Sequence, residues 1–491
     1  MRLSAGCVRK TRAGPEDQSI MLSGVRVAWG WPGVLICSLI LLSCVTRPQA
    51  DSSSRAMGLS EARHLLSRTG FGVATITDIR DYASLSRQEA VDRLLSSVLR
   101  QPVTPPPVWV DDRPVTGAER RDMTGQERQL LQQQRKRRGE MLKGWWYQEM
   151  VVTPSPFTER MTLFWHNHFT SSLKKVREPV FLYRQNLLLR AGAFGDFREL
   201  ARMIARDPAM LIYLDGNRNS ADAPNENFAR ELFELFTLGP GNYTERDIRE
   251  AARAFSGVRY NQQQGVVRQS RKLHDDGIKT VFGQSGSFSV DEVLDIVFQQ
   301  PAAARFIAAK LWREFVSAEP DLQEIEAIAG TLRRSGYSIT AALRHLLTSD
   351  GFYDLRHRGM LVKSPVEILV GTIRLFGLVP ESTEPLVRMG RELGQDIFDP
   401  PTVKGWDGGT DWINSTTLLT RQDLIRRFSM GAGRNRMAGR QRLTELVESD
   451  LSKAELVRLL LPVPPLTPVP ADASRVKLLT MTLSDPVFQL K

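Results

Sequence analysis

Residues 213–239 read YLDGNRNSADAPNENFARELFELFTLG. Asp222 and Pro224 are residue types that open a helix and Gly239 is one that ends it, so a helix is expected over 224–238. Within it Phe228, Leu232 and Leu235 share a face, and Phe233 and Phe236 widen that face over most of the circumference. Asn227, Arg230, Glu231 and Glu234, at i, i+3, i+4 and i+7, form the remaining polar stripe. A helix so apolar must be packed on more than one side, which calls for other helices around it. The stripe then has two readings. It is a solvated face, or it is partly buried and its carboxylates need Arg230 or a metal ion as partner.

Working outward, the helical period recurs over 157–172, 177–190, 196–206, 245–255, 290–298, 301–316, 321–334, 338–348, 364–376, 383–393, 417–430 and 441–459. Towards the N-terminus, LSEARHLLSRTGFG from Leu59 and SRQEAVDRLLSSVL from Ser86 are helices with Ser60 and Ser86 as expected caps. A long charged helix, ERQLLQQQRKRRGEMLKGWWYQEMV, becomes amphipathic towards Trp145 and Trp146. Period-two runs are few; VRYNQQQGVVRQ leading into KTVFG leaves room for a short β hairpin. The expected fold class is mainly α: a large multi-helix globular body over 57–460. It carries a Pro-rich surface loop near 101–117 and is followed by a Pro-rich tail over 461–491 that ends in a short helix and coil.

Residues 1–56 read as an address and a tether. Val27 to Ser43, VAWGWPGVLICSLILLS, is an uncharged apolar run of 17 residues behind Arg26, the pattern of a secretory signal. Three endings stay open: a lipoprotein signal with lipidation at Cys44 after LLS, conventional cleavage near Ala50, or an uncleaved anchor at the lower length limit for a bilayer. Either Met1 or Met21 can be the start, and DSSSR (51–55) is a polar tether. The chain is expected to be exported to the periplasm or cell envelope. The only cysteines are Cys7, Cys37 and Cys44, so the body has no disulfide and relies on packing.

Of the 491 residues, 42% are hydrophobic and 25% charged, which excludes a wholly disordered chain. The net charge of +11 suits nucleic acid, an anionic lipid surface or an acidic polymer. No helix-turn-helix, finger or aromatic RNA-binding signature accompanies that charge, so nucleic acid is the least supported partner.

Beside the 213–239 segment, three others carry candidate chemistry. In LFWHNHFTSS, His166 and His168 are two apart, and on a continuous helix they point in roughly opposite directions. They share a metal only if the segment is extended or ends there. In KLHDDGIKTVFG, His274, Asp275 and Lys279 stand by a Gly turn. In FDPPTVKGWDGGTDWINSTTLLTRQ, Trp406 and Trp412 either line a sugar- or peptide-binding cleft or cover the core. The enzyme reading gives His166, His168 and His274 as ligands of a divalent metal such as Zn, Mn or Fe. It gives Glu231, Glu234 and Asp275 as catalytic carboxylates, with Glu231 and Glu234 an acid/base pair if no metal binds. Asn227, Arg230, Lys279, Trp406 and Trp412 would then hold substrate. The competing reading is a non-catalytic envelope protein that binds a partner protein or a polysaccharide.

The ordered set FWHNHF, PNENFARELFELFTLG, YTERDIREAARAFSG, HDDGIKTVFG, PAAARFIAAKLWREFV and PPTVKGWDGGTDWIN resembles the bacterial family called domain of unknown function 1800. The likeness runs from about residue 58 to about 430. Gln300 stands where a histidine often precedes the Pro-Ala segment, and Lys404 where a small residue usually precedes Gly-Trp. The resemblance implies an exported helical protein, often encoded beside a second exported protein that would be a partner. It implies no activity, cofactor or substrate.

Overall fold

Local chemistry sets most helix starts. Ser86, Thr124, Thr244, Ser364 and Ser452 each accept the backbone N–H three residues on, and the acid there returns a bond to the cap. Prolines open the helices Pro156–His168, Pro179–Gly192, Pro301–Phe315 and Pro365–Leu375, where their missing N–H costs no bond. The computed structural model describes residues 55–491 except 73, 262–265, 379, 430–445 and 447. Cys44, the other two cysteines and the apolar run Val27–Ser43 lie outside the described residues.

The described chain is mainly α-helical, with two small antiparallel sheets of two strands each. The expected single hairpin resolves into two. Val258–Asn261 pairs with Val266–Gln269, and Lys279–Val281 pairs with Gln284–Gly286. Ser60 does not cap its helix, which already begins at Gly58 after Met57. Among the described residues no helix is long and apolar enough to cross a membrane.

The helix Gly125–Val152 is exposed through its Arg-rich half and enters the core from Leu142. The buried Glu149 carboxylate accepts the N–H groups of Val103 and Thr104 and so fastens the Pro-rich loop to the body. Helices Pro156–His168 and Pro179–Gly192 are joined by a buried bidentate pair, Arg190 Nε to Glu159 Oε1 at 2.7 Å and Nη2 to Oε2 at 2.8 Å. The Trp146 indole donates to the same carboxylate at 2.7 Å. Helix Pro365–Leu375 meets the chain at Phe71 so closely that a Cβ on Gly371 would lie 1.7 Å from the Phe71 carbonyl oxygen.

The Pro-rich segment after Leu461 ends in the short helix expected there, and that helix packs on the body. Its helix Arg475–Ser484 buries Leu478, Leu479 and Leu483. Its last strand-like residues bond to the body, Lys363 N–H to Gln489 O and Lys491 N–H to Leu361 O, both at 2.8 Å. Apolar spacing at 478, 479, 483, 487 and 488, all buried, outweighs the prolines before it.

Candidate functional site

The site grows from FWHNHF. Its helix runs to His168 and stops at Phe169, so His166, Asn167 and His168 point to different neighbours. His166 is buried between the rings of Trp146, Phe398 and Trp406. Its Nε2 accepts the Phe398 N–H at 3.1 Å, and burial lowers its pKa to about 3. Asn167 clamps the next turn of the same loop: Oδ1 accepts the Trp406 N–H at 2.8 Å and Nδ2 donates to Trp406 O at 3.3 Å. That clamp requires Gly405, at φ +87°, because a Cβ there would lie 2.1 Å from Asn167 Oδ1. Thr170 and Ser172 continue the stitching, to Val403 O and to Asp399 at 2.5 Å.

His168 faces the other way, to the helix opened by NENFARELFELFTLG. That helix starts at Asn227, not at 224: Asp222 does not cap it, and the Asn225 side chain accepts the Asn227 N–H at 3.0 Å instead. From Leu232 to Thr237 it widens into a π-helix. The π-turn leaves the carbonyls of Leu235 and Phe236 without helical partners. His168 Nε2 donates to Phe236 O at 3.0 Å, and Lys310 Nζ donates to Leu235 O at 3.2 Å. Lys310 also donates to His168 Nδ1 at 3.0 Å. These two bonds assign the imidazole as the neutral Nε2–H tautomer. Burial, then the nearby Lys310 charge, keeps the His168 pKa well below 6.5 despite the Phe236 bond. Burial, and the charge of Arg313, push the Lys310 pKa down to about 8. An ammonium has three N–H donors; these contacts use two.

His168 and Lys310 line a cleft of about 400 Å³ together with Glu234, Lys404, Trp406 and Trp412. Glu234 accepts the Tyr243 hydroxyl at 2.7 Å. Burial and that carboxylate raise Tyr243 to about 12. The deeper wall is a paired ionic cluster. Arg160 lies 2.5 Å from Glu314 and 3.2 Å from Glu367, and Lys491 lies 2.5 Å from Glu367. Burial works to raise the Glu367 pKa, but Arg160, Lys491 and the Ser364 N–H outweigh it and hold the carboxyl at about 2.

Other expected site residues stand apart from the cleft. Asn227 Nδ2 donates to Leu214 O at 3.1 Å. Arg230 pairs with Glu245 at 2.8 Å and Glu226 at 3.2 Å rather than with Glu231. Glu231 is half-buried and makes no hydrogen bond or ion pair among the described residues. Burial first, then the charge of Glu234, raises its pKa. The 274–279 loop is not part of the cleft lining. Arg253 Nε grips Asp275 at 2.7 Å, Lys279 donates to the Asp275 carbonyl, and His274 Nδ1 lies 2.8 Å from Gln269 Nε2 and 3.1 Å from Ser256 O. Among the described residues no three His, Cys, Asp or Glu side chains gather as metal ligands. His166, His168 and His274 are each engaged in separate protein bonds.

Two residues that the sequence did not single out are Asn167 and Lys310. Both stand inside quoted motifs, but their partners are 239 and 142 positions away. Only the motif order hinted that these segments belong together.

The profile of the family described as protein of unknown function (DUF1800) matches residues 64–490. The chain belongs to this family. The match takes in the clamp, the π-turn and the Lys310 helix, and extends through the C-terminal helix Arg475–Ser484. No curated protein is detectably similar to the chain, and no solved structure is either.

Proposed function

We propose that this DUF1800 protein is an exported cell-envelope enzyme that works on a polar polymer by proton transfer in the Lys310 cleft. The observation that carries the reading is the unspent donor of Lys310. It is an amine with a pKa of about 8, held by His168 and the π-turn, opening on a cleft with a carboxylate and two tryptophans. At neutral pH a group of that pKa is mostly ammonium with roughly a tenth as free amine, so it can give its third proton to a leaving oxygen and, in the minor form, take one from water or a sugar hydroxyl. Glu234, oriented by Tyr243, is one of the carboxylates that line the same cleft. Trp406 and Trp412 offer flat apolar walls for a sugar ring. The reading needs no metal.

A second reading, favoured by those tryptophans, is a non-catalytic polysaccharide binder. Incubating the exported, purified protein with soluble bacterial envelope polysaccharides, and following new chain ends by mass spectrometry, separates the two. The enzyme reading expects products from the native protein and none from Lys310→Met or Glu234→Gln. Binding without products from the native protein overturns it in favour of the second.

A further inference from the structure

A second cavity, of about 850 Å³, lies between the Arg-rich half of helix Gly125–Val152 and the segment 173–179. Eight Lys or Arg side chains line it against three carboxylates. Four of the cations are neutralised in pairs: Lys143 with Asp396 at 2.6 Å, Lys174 with Asp399 at 2.9 Å, Arg391 with Glu140 at 2.7 Å, and Arg135 with Glu178. The other four, Arg120, Arg128, Lys136 and Arg177, have no carboxylate at ion-pair distance among the described residues. Arg128 and Arg177 reach only backbone carbonyls, of Arg121 and Lys174. Arg177 also holds a left-handed backbone, φ 60°, which a non-glycine residue adopts at a cost. All four are exposed, so solvent screens their mutual repulsion, and an anion bridging the concavity would meet all four at once.

We propose that this groove binds an anionic polysaccharide, a sugar chain bearing carboxylate or phosphate groups, and that the same chain leads to the Lys310 cleft. Three of the four free cations are arginines, whose planar fork matches carboxylate and phosphate. The concave shape suits a chain rather than the flat face of a bilayer. No aromatic side chain lines the groove, so it lacks the stacking platform of a single-stranded nucleic acid site. Continuity is structural: segment 166–177 and loop 395–412 each contribute to both cavities, with His168 and Trp406 on one and Arg177 and Asp399 on the other. The second half of the proposal rests on the cleft being the working site; binding in the groove does not, so the two fail separately.

The test uses the intact protein, fluorescently labelled polygalacturonate and poly(glycerol phosphate) as probes, and dextran, duplex DNA and phosphatidylglycerol vesicles for comparison. R120E/R128E/K136E is compared with a reversal of three exposed cations elsewhere, R271E/K272E/K477E. Both reversals change the net charge equally, and circular dichroism checks that each is folded. The expected result is salt-sensitive binding of one or both anionic glycans, no binding of dextran, and affinity reduced roughly tenfold or more only by the groove reversal. Equal loss from both reversals, or no loss, overturns the groove. Tighter binding of DNA or vesicles than of either glycan, lost with the groove reversal, overturns the polysaccharide assignment. Failure of the Lys310 turnover test with groove binding intact overturns only the link to the cleft.

Discussion

Two buried ionic regions of this protein treat charge in opposite ways. Around Glu159 the carboxylate receives two bonds from Arg190 and one from Trp146, and Arg190 spends a further N–H on Asn186 at 2.7 Å. Both side chains are within 1% of full burial. Around Lys310 the ammonium has only neutral acceptors, an imidazole nitrogen and a backbone carbonyl, and keeps one donor for the cleft. The first arrangement locks two helices together. The second leaves a charge that is costly to hold and therefore easy to discharge. Full pairing marks a structural cluster; partial pairing at a cavity marks a site.

The contrast breaks most visibly at the structural end. Arg190→Ala strands the Glu159 carboxylate without its cation and should cost about 3–5 kcal/mol in urea unfolding. A loss below about 1 kcal/mol, comparable to removing an exposed ion pair, would erase the distinction. The Glu367 cluster sharpens it through pH. Its folded pKa, about 2, lies below the ordinary carboxylate value of 4.5, so its contribution is present above about pH 4.5 and fades as pH falls towards 2. Glu367→Gln should be less stable than the native protein at neutral pH, with the gap narrowing on acidification; a constant gap would contradict the pairing.

Asn167→Ala should cost about 1–3 kcal/mol, because the Trp406 N–H loses its acceptor. It should also weaken sugar binding by freeing the loop that carries Trp406 and Trp412. Unchanged stability and binding would mean that the clamp is incidental. The smallest effect belongs to Glu231, half-buried and unbonded: Glu231→Ala should stay within about 0.5 kcal/mol of the native stability. A large loss in thermal unfolding would show that it has a structural partner.

Much of the fold could be read from sequence because helix signals are local. Ser86 with Glu89, and proline in first turns, mark starts without knowledge of neighbours. The π-turn over 232–237 was not legible, since the carbonyls it releases are satisfied by His168 and Lys310 from distant segments. Chemical richness alone also brought His274 and Asp275 into the expected site, whereas Arg253 binds that loop to its own helix. Glu234, His168, Trp406 and Trp412 do share a cleft. Their signal was polarity or aromaticity set in an unusual context: an otherwise apolar helix, or a Gly- and Pro-rich loop. Lys310 carried no such mark, standing in a helix of ordinary amphipathic spacing.

Titration of Lys310 itself asks whether the cleft holds a partly discharged amine. Trace acetylation of the purified protein across pH 6 to 11, read by peptide mass spectrometry, gives the fraction of reactive amine at each lysine. Lys310 is expected to titrate with a midpoint near 8, below the ordinary lysine value of about 10.4, and to be protected when the cleft is filled by a bound polysaccharide. A Lys310 that titrates with the exposed lysines, or that stays equally reactive with ligand bound, would contradict this reading of the cleft.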